Sequence, residues 1–428
     1  MAKKRTFALF IAVGATLLLT LAATIFFFNA KPVSKRATEV PNGVPSVSDP
    51  AFATLMEAYL GTPIQEGNRV TLLQNGGEIF PAMLEAIGRA AHSITLESYE
   101  FWGERVAGAI TDALIERAEA GVAVHVLLDF IGSMRADPEK FERMEEAGIE
   151  LIRWRRPSWY QSGRFNNRTH RKLLVIDGRV GFCGGANMGD DWWGGPPEET
   201  YRDNHYMFEV PVVAQLQGAF LDNWLIASNR ILLGEPYFPA LEPVGGQRMQ
   251  VVISSPMEGK KRVRSLLLLA FGAARERILI QTAFFYPDFI MKEALLAARE
   301  RGVEVIILAP GEKVSARWVR YASRNRWGDL LEGGVRIHEF EPSMFHSKLF
   351  IVDDAWTSVG SINFDNRSFR LNDETNVNVF CREFAARMTE VFEADLTAST
   401  SYDLERWQTR GRLERLRGLL GNLIGPHL

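Results

Sequence analysis

The chain alternates between apolar runs and helix-period runs, and it does so twice in the same order. Residues 94–99 read as a buried strand, 104–120 as a helix closed by Gly121, and 122–128 as the next strand. Residues 278–285, 288–301 and 303–308 repeat that order, with Gly302 as the stop. A glycine just past a helix suits the left-handed C-terminal cap. Apolar, β-branched runs after it suit a buried strand. The phrase Ala147-Gly148-Ile149-Glu150-Leu151 returns as Gly333-Gly334-Val335-Arg336-Ile337. This alternation predicts an α/β fold with a largely parallel sheet in each half. The two halves are expected to pack about a pseudo-two-fold axis.

The ends of the chain follow other patterns. Residues 7–28 are apolar and uncharged, long enough to span a bilayer, and follow Lys3, Lys4 and Arg5. The run ends in Phe26-Phe27-Phe28 rather than in the small residues of a signal-peptide cut, which predicts one uncleaved N-terminal transmembrane helix. Lys31, Lys35 and Arg36 balance the basic residues before it, so the flanking charges do not choose a side of the membrane. The expected division is 1–29 anchor, 30–51 linker, 52–240 first α/β domain, 241–400 second, and 401–428 an amphipathic C-terminal segment. In that segment Leu413, Leu416, Leu419 and Leu420 recur at helical spacing among Arg410, Arg412, Arg415 and Arg417. It either lies on lipid or packs on the body. Trp192-Trp193-Gly194-Gly195 is either an interfacial loop or a buried aromatic pair.

Composition narrows the class. With 428 residues, 46% hydrophobic and 24% charged, the chain is a two-domain globular protein with a sizeable core. A net charge of -3 gives no general pull toward nucleic acid. Two cysteines, Cys183 and Cys381, exclude a disulfide framework and a four-thiolate zinc site, and both read as buried free thiols.

The chemistry is concentrated in a repeated motif. His170-Arg171-Lys172 is followed by four apolar residues and Asp177; His346-Ser347-Lys348 is followed by four apolar residues and Asp353. Both read H-x-K-x4-D. Each is trailed at one distance by a small-residue turn and an asparagine, Gly184-Gly185-Ala186-Asn187 and Gly360-Ser361-Ile362-Asn363. A single copy would be a strand cap and a solvated lysine. Two copies with matching turns point to one shared site.

Histidine and lysine two apart on a strand share a face, so both address one anion. Two histidines, two lysines and two asparagines around one centre suit a phosphoryl group undergoing in-line displacement. A neutral imidazole is the nucleophile and a protonated one gives its proton to the leaving alcohol. With an ordinary pKa near ~6.5, both states are accessible near neutral pH. The lysines supply the positive charge, so neither metal nor cofactor is expected.

On these residues the chain resembles the phospholipase D superfamily, and more narrowly bacterial cardiolipin synthases. The resemblance runs from about residue 76 to 380 and is carried by residues 167–178, 184–190 and 360–369, with 201–205 and 371–376 also matching. It implies two phospholipase D-type domains and ping-pong transfer of a phosphatidyl group between phospholipids. Two phosphatidylglycerols would give cardiolipin and glycerol, through a phosphohistidine, at a bacterial cell membrane. It implies His170 as nucleophile and His346 as general acid, with Lys172, Lys348, Asp177 and Asp353 completing the catalytic set, the two aspartates as anchors of local turns rather than substrate contacts. It implies Asn187, Asn363, Gly185 and Ser361 as substrate-binding positions. Asp203 would support His346, and Glu374 would support His170. Hydrolysis of phospholipid or nucleic acid by the same site is the alternative, and net charge disfavours nucleic acid.

Overall fold

The computed structural model describes residues 12–24, 40–156, 167–256, 262–314 and 316–423. Among the described residues, sixteen strands form one sheet that runs through both halves. In the first half Ser93–Ser98, Ala123–Asp129 and Glu150–Trp154 are parallel neighbours. In the second half Arg277–Gln281, Glu304–Pro310 and Arg336–Phe340 are too. Apart from the short segment Arg168–Thr169, parallel to Asn372–Asp373, the other main-sheet neighbours pair antiparallel, so each half-sheet is mixed rather than largely parallel. The reason lies in the motif strands. Leu173–Ile176 turns back into Val180–Gly184 through Asp177 and Gly178, at φ 50° and 61°. Leu349–Val352 turns back into Trp356–Gly360 through Asp353 and Asp354, at φ 50° and 47°. Such tight turns join antiparallel neighbours.

The two half-sheets meet edge to edge. Gln65–Gln74 pairs with Asn204–Glu209 on one side and Gln247–Ser254 on the other, and Gln247–Ser254 pairs with Asn372–Phe380. This seam places the last strands of the two halves near the middle of one continuous sheet. Helices Val213–Ser228 and Arg382–Thr397 follow those strands in matching positions.

Local differences from the sequence pattern have physical causes. The helix expected over 104–120 begins as a π-turn, Gly103–Gly108, and becomes α-helical over Ala109–Glu119. The carboxylate of Asp190 accepts from the backbone N–H of Glu104 and Val106 at 3.1 and 2.9 Å, drawing the first turn open. The second-half helix is Phe289–Glu300, capped by Asp288, which accepts from Met291 N. Gly121 and Gly302 close these helices at φ 91° and 86°. The helix Pro50–Leu60 buries Phe52, Met56 and Leu60 in the core of the second half, although the chain then enters the first. Cys183 is buried and Cys381 is half-buried.

The C-terminal helix Arg412–Leu423 combines both expected behaviours. Gly418 and Gly421 let it lie on Arg317–Arg324, against Tyr321, Asn325 and Ala322. Leu413, Leu416, Leu419 and Leu420 point outward, each 52–59% exposed. At the other end, residues 12–24 are helical. No described helix is long and apolar enough to cross a membrane, so the predicted transmembrane helix is not seen. The rest of the 7–28 run lies outside the described residues. So do residues 157–166, which hold Trp159, Tyr160 and Arg164, and the pair Lys260-Lys261.

Candidate active site

Each histidine is mounted by the half it does not belong to. His170 N donates to Asp373 O at 2.9 Å, and His346 N donates to Arg202 O at 2.8 Å. The segment Arg168–Thr169 runs parallel to Asn372–Asp373, and Arg202 makes the matching parallel bridge to Phe345. The residue after each anchor supplies a carboxylate. Glu374 Oε2 lies 2.9 Å from His170 Nδ1, and Asp203 Oδ2 lies 2.7 Å from His346 Nδ1. With Nδ1 engaged, Nε2 is the nitrogen left for chemistry. His170, His346, Asn187 and Asn363 line one cavity of about 350 Å³.

The carboxylates are themselves held. Glu374 accepts from Ser361 Oγ at 2.5 Å and Ser368 Oγ at 2.7 Å. Asp203 accepts from Trp192 Nε1 at 2.8 Å and Asn204 N at 2.8 Å. Ser361 therefore acts on Glu374. Gly185 leaves room for Asp203, since a Cβ there would lie 2.1 Å from Oδ1. These two positions shape the carboxylates rather than offering a hydroxyl to substrate. Lys172 Nζ donates to His170 O at 2.7 Å. Lys348 Nζ donates to His346 O and lies along the ring, 2.7 Å from Nδ1 and 3.1 Å from Nε2.

Asp177 and Asp353 stand apart from this group: they anchor turns, as expected, and so do not belong with the catalytic side chains. Asp177 accepts from the backbone N–H of Ala91, His92 and Ser93. Asp353 does the same for Arg275, Glu276 and Arg277. Each lies past the far end of its motif strand and ties the hairpin turn to the start of the neighbouring strand.

Electrostatics also differ from expectation. Burial, with the adjacent Lys172, holds His170 down to about 4 even though Glu374 pulls it up. Burial and Lys348 hold His346 down to about 3 against Asp203. Both rings are therefore held neutral at neutral pH, because dehydration and two neighbouring ammonium groups oppose a second positive charge. Burial also brings Lys172 down to about 8 and Lys348 to about 7. Burial alone would raise Asp203 and Glu374, but the histidines and lysines outweigh it and both are lowered.

A family model described as "Cardiolipin synthase, PLD-like domain" matches residues 83–224 and 267–396, one segment in each half. The chain belongs to this family. "Cardiolipin synthase 2" of Bacillus anthracis is 33% identical over 366 residues, covering 83% of this chain and 70% of that protein. "Major cardiolipin synthase ClsA" of Bacillus subtilis is 33% identical over 370 residues, covering 85% and 76%. Among solved structures, phosphatidylserine synthase of Haemophilus influenzae superposes with a TM-score of 0.68 at 13% identity, covering 88% of this chain and 100% of that one. Polyphosphate kinase of Porphyromonas gingivalis gives 0.55 at 15%, covering 83% and 53%. At those identities the likeness is one of fold. Membership makes the chain a phosphatidyltransferase of the phospholipase D superfamily, acting on phospholipid.

Several residues of this cardiolipin synthase-family site are not visible in the motif itself. Tyr99 packs on His170, with ring centroids 5.6 Å apart. Trp192 and Tyr201 pack on His346 at 5.1 and 5.8 Å. Trp192 is buried and Trp193 stacks on Phe80, so the tryptophan pair sits inward. Glu97 accepts from Thr169 and from Asn223 beneath His170, and burial pushes it up to about 7. The available signal was alignment of the two repeats, which pairs Trp192 with Ser368, the two donors that hold the carboxylates.

Proposed function

We propose that the chain joins two phosphatidylglycerol molecules into cardiolipin and glycerol through a phosphohistidine, working at a membrane. The observation that carries this reading is the pair of imidazoles in one cavity, each held by the other half's carboxylate. His170 Nε2 attacks phosphorus, and the P–O bond to the headgroup glycerol breaks as His346 delivers a proton to that oxygen. A headgroup hydroxyl of a second phosphatidylglycerol then gives its proton to His346. Its oxygen attacks phosphorus, and the P–N bond to His170 breaks. Lys172, Lys348, Asn187 and Asn363 stabilise the charged phosphoryl oxygens.

The low histidine values fit this sequence once substrate is present. A phosphodiester anion between the ammonium groups offsets the charge that keeps His346 neutral, so the proton arrives with the substrate. The apolar 7–28 run and the outward leucines of the C-terminal helix support work at a bilayer.

The test uses the full chain in detergent micelles of phosphatidylglycerol. Cardiolipin and glycerol are the expected products, unaffected by exhaustive chelation. Phosphatidic acid without cardiolipin would make the enzyme a hydrolase. In acid-quenched reactions with labelled lipid, His170→Ala is expected to lose the covalent adduct. Adduct retained in that variant and lost in His346→Ala would reverse the two roles.

A further inference from the structure

The inner ring of the site obeys the internal symmetry, and the ring around it does not. One shift of 176 residues carries His170 to His346 and Asn187 to Asn363. The same shift carries Arg168 to Met344 and Asp191 to Arg367. Glu100 and Phe284 are also equivalent. Each carbonyl accepts from the hydroxyl two residues earlier, Ser98 and Thr282, and both residues line the cavity. At all three positions a charge in one half faces a different group in the other.

The charges sort by side. Arg168 lies two residues before His170, and Arg367 lies between Ser361 and Ser368, the two residues that hold Glu374. Both line the cavity. They sense one another's charge, and both bear on the Tyr99 hydroxyl beside His170. Each has local partners: Arg168 donates to Asn167 O at 2.8 Å, and Arg367 reaches Asn372 Oδ1 at 3.4 Å. Asp365, which also lines the cavity on this side, is committed to Ser368 N at 2.8 Å, and burial pushes it up to about 6. Around His346 stand Trp192 and Tyr201, with Asp191 next to the Tyr201 hydroxyl; Glu100 also lines the cavity, and the Arg135 charge acts on Glu100, Asp191 and Tyr201. That wall is aromatic, with Glu100 and Asp191 offset by Arg135, which does not itself line the cavity.

The reaction read above needs a place for a second phosphate. The acceptor lipid brings its own phosphodiester, one glycerol away from the phosphorus it attacks. The lysines and histidines serve the reacting phosphate. Two guanidinium groups converging on the same cavity match the remaining anion, since their planar forks engage phosphate oxygens in pairs. Resting on the proposed transfer between phospholipids, we infer that Arg168 and Arg367 form an acceptor subsite that holds the phosphate of the incoming phospholipid. Its hydroxyl is thereby aimed at the phosphohistidine.

A partition experiment tests this. Micelles of phosphatidylglycerol with added 1-butanol offer two acceptors to one covalent intermediate. Cardiolipin forms from the lipid acceptor and phosphatidylbutanol from the alcohol, which has no phosphate. Because both arise from one intermediate, their ratio is independent of the donor step. Arg168→Gln and Arg367→Gln are each expected to lower the cardiolipin-to-phosphatidylbutanol ratio about ten- to a hundred-fold, the size of a charged hydrogen-bond loss. Arg367→Lys, which keeps charge but loses the fork, is expected to fall between, and it serves as the readout if a Gln variant does not fold. An unchanged ratio overturns the subsite. So does an equal fall of both products, which would place the arginines on the donor. Absence of both products with the wild-type chain would instead sink the underlying transfer reading.

Discussion

Each imidazole is oriented by a carboxylate from the opposite half, and that carboxylate is oriented in turn by a hydroxyl or an indole. Glu374→Gln keeps the shape but removes the charge and one acceptor. It is expected to lower kcat by about 10²–10⁴-fold, with a much smaller change in KM. Steady-state kinetics on phosphatidylglycerol micelles read this, and a fall of less than about three-fold would show that Glu374 does not set the state of His170. At this scale the histidines, lysines and asparagines were legible in the sequence because each occurs in a repeated frame, whereas both supporting acids were reached only through the family resemblance. Asp177 and Asp353 share the frame equally well, yet they fasten turns. Sequence spacing cannot separate the two ends of one strand by function. Ser368 and Trp192 were hidden for another reason: one repeat uses a hydroxyl and the other an indole for the same task.

At the scale of elements, the same polar pair recurs beneath each motif with its members exchanged. In the first half the strand carries the carboxyl, Glu97, and the helix Val213–Ser228 carries the amide, Asn223, at 2.7 Å. In the second half the strand carries Gln281 and the helix Arg382–Thr397 carries Asp395, at 2.9 Å. Asp395 also binds Arg202 of the first half, with contacts of 2.8 and 2.9 Å, both side chains being buried. This pair fastens the helix of one half to the strand segment that presents Asp203. Arg202→Ala leaves a buried carboxylate without its cation and is expected to cost about 3–5 kcal/mol in unfolding free energy. Chemical denaturation measures it; a cost below about 1 kcal/mol would mean that other groups satisfy Asp395. Helix and strand positions were readable from periodicity and glycine stops. The mixed sheet direction was not, because three-residue turns containing Asp177-Gly178 and Asp353-Asp354 reverse strands that an α/β rhythm leads one to expect in parallel.

For the whole molecule, burying a polar site has a pH signature. His205 lies in the sheet behind the site, where its counterpart is Asn376, and neither ring nitrogen has a hydrogen-bond partner among the described residues. Burial lowers it from 6.5 to about 3, with Asp203 pulling up and Lys172 pulling down. Its folded value is depressed, so the unfolded chain takes up the proton first. The stability linked to His205 is complete above about pH 6.5 and is lost as pH falls toward 3. Between pH 7 and 5, His205→Asn is expected to remove about 2 kcal/mol of the wild-type loss, read from paired denaturation curves. Parallel curves for the two proteins would refute the assignment. The sequence by itself determined the family, the two halves, the paired motif and the identity of the reacting groups, since duplication preserved residue types and spacing that chemistry requires. Only the tertiary structure decided which half supports which histidine, that burial holds both rings neutral, and that Arg168 and Arg367 line one cavity on the His170 side. Those properties depend on residues more than a hundred positions apart being brought within hydrogen-bond distance and out of water, and neither proximity nor dehydration is written in local sequence.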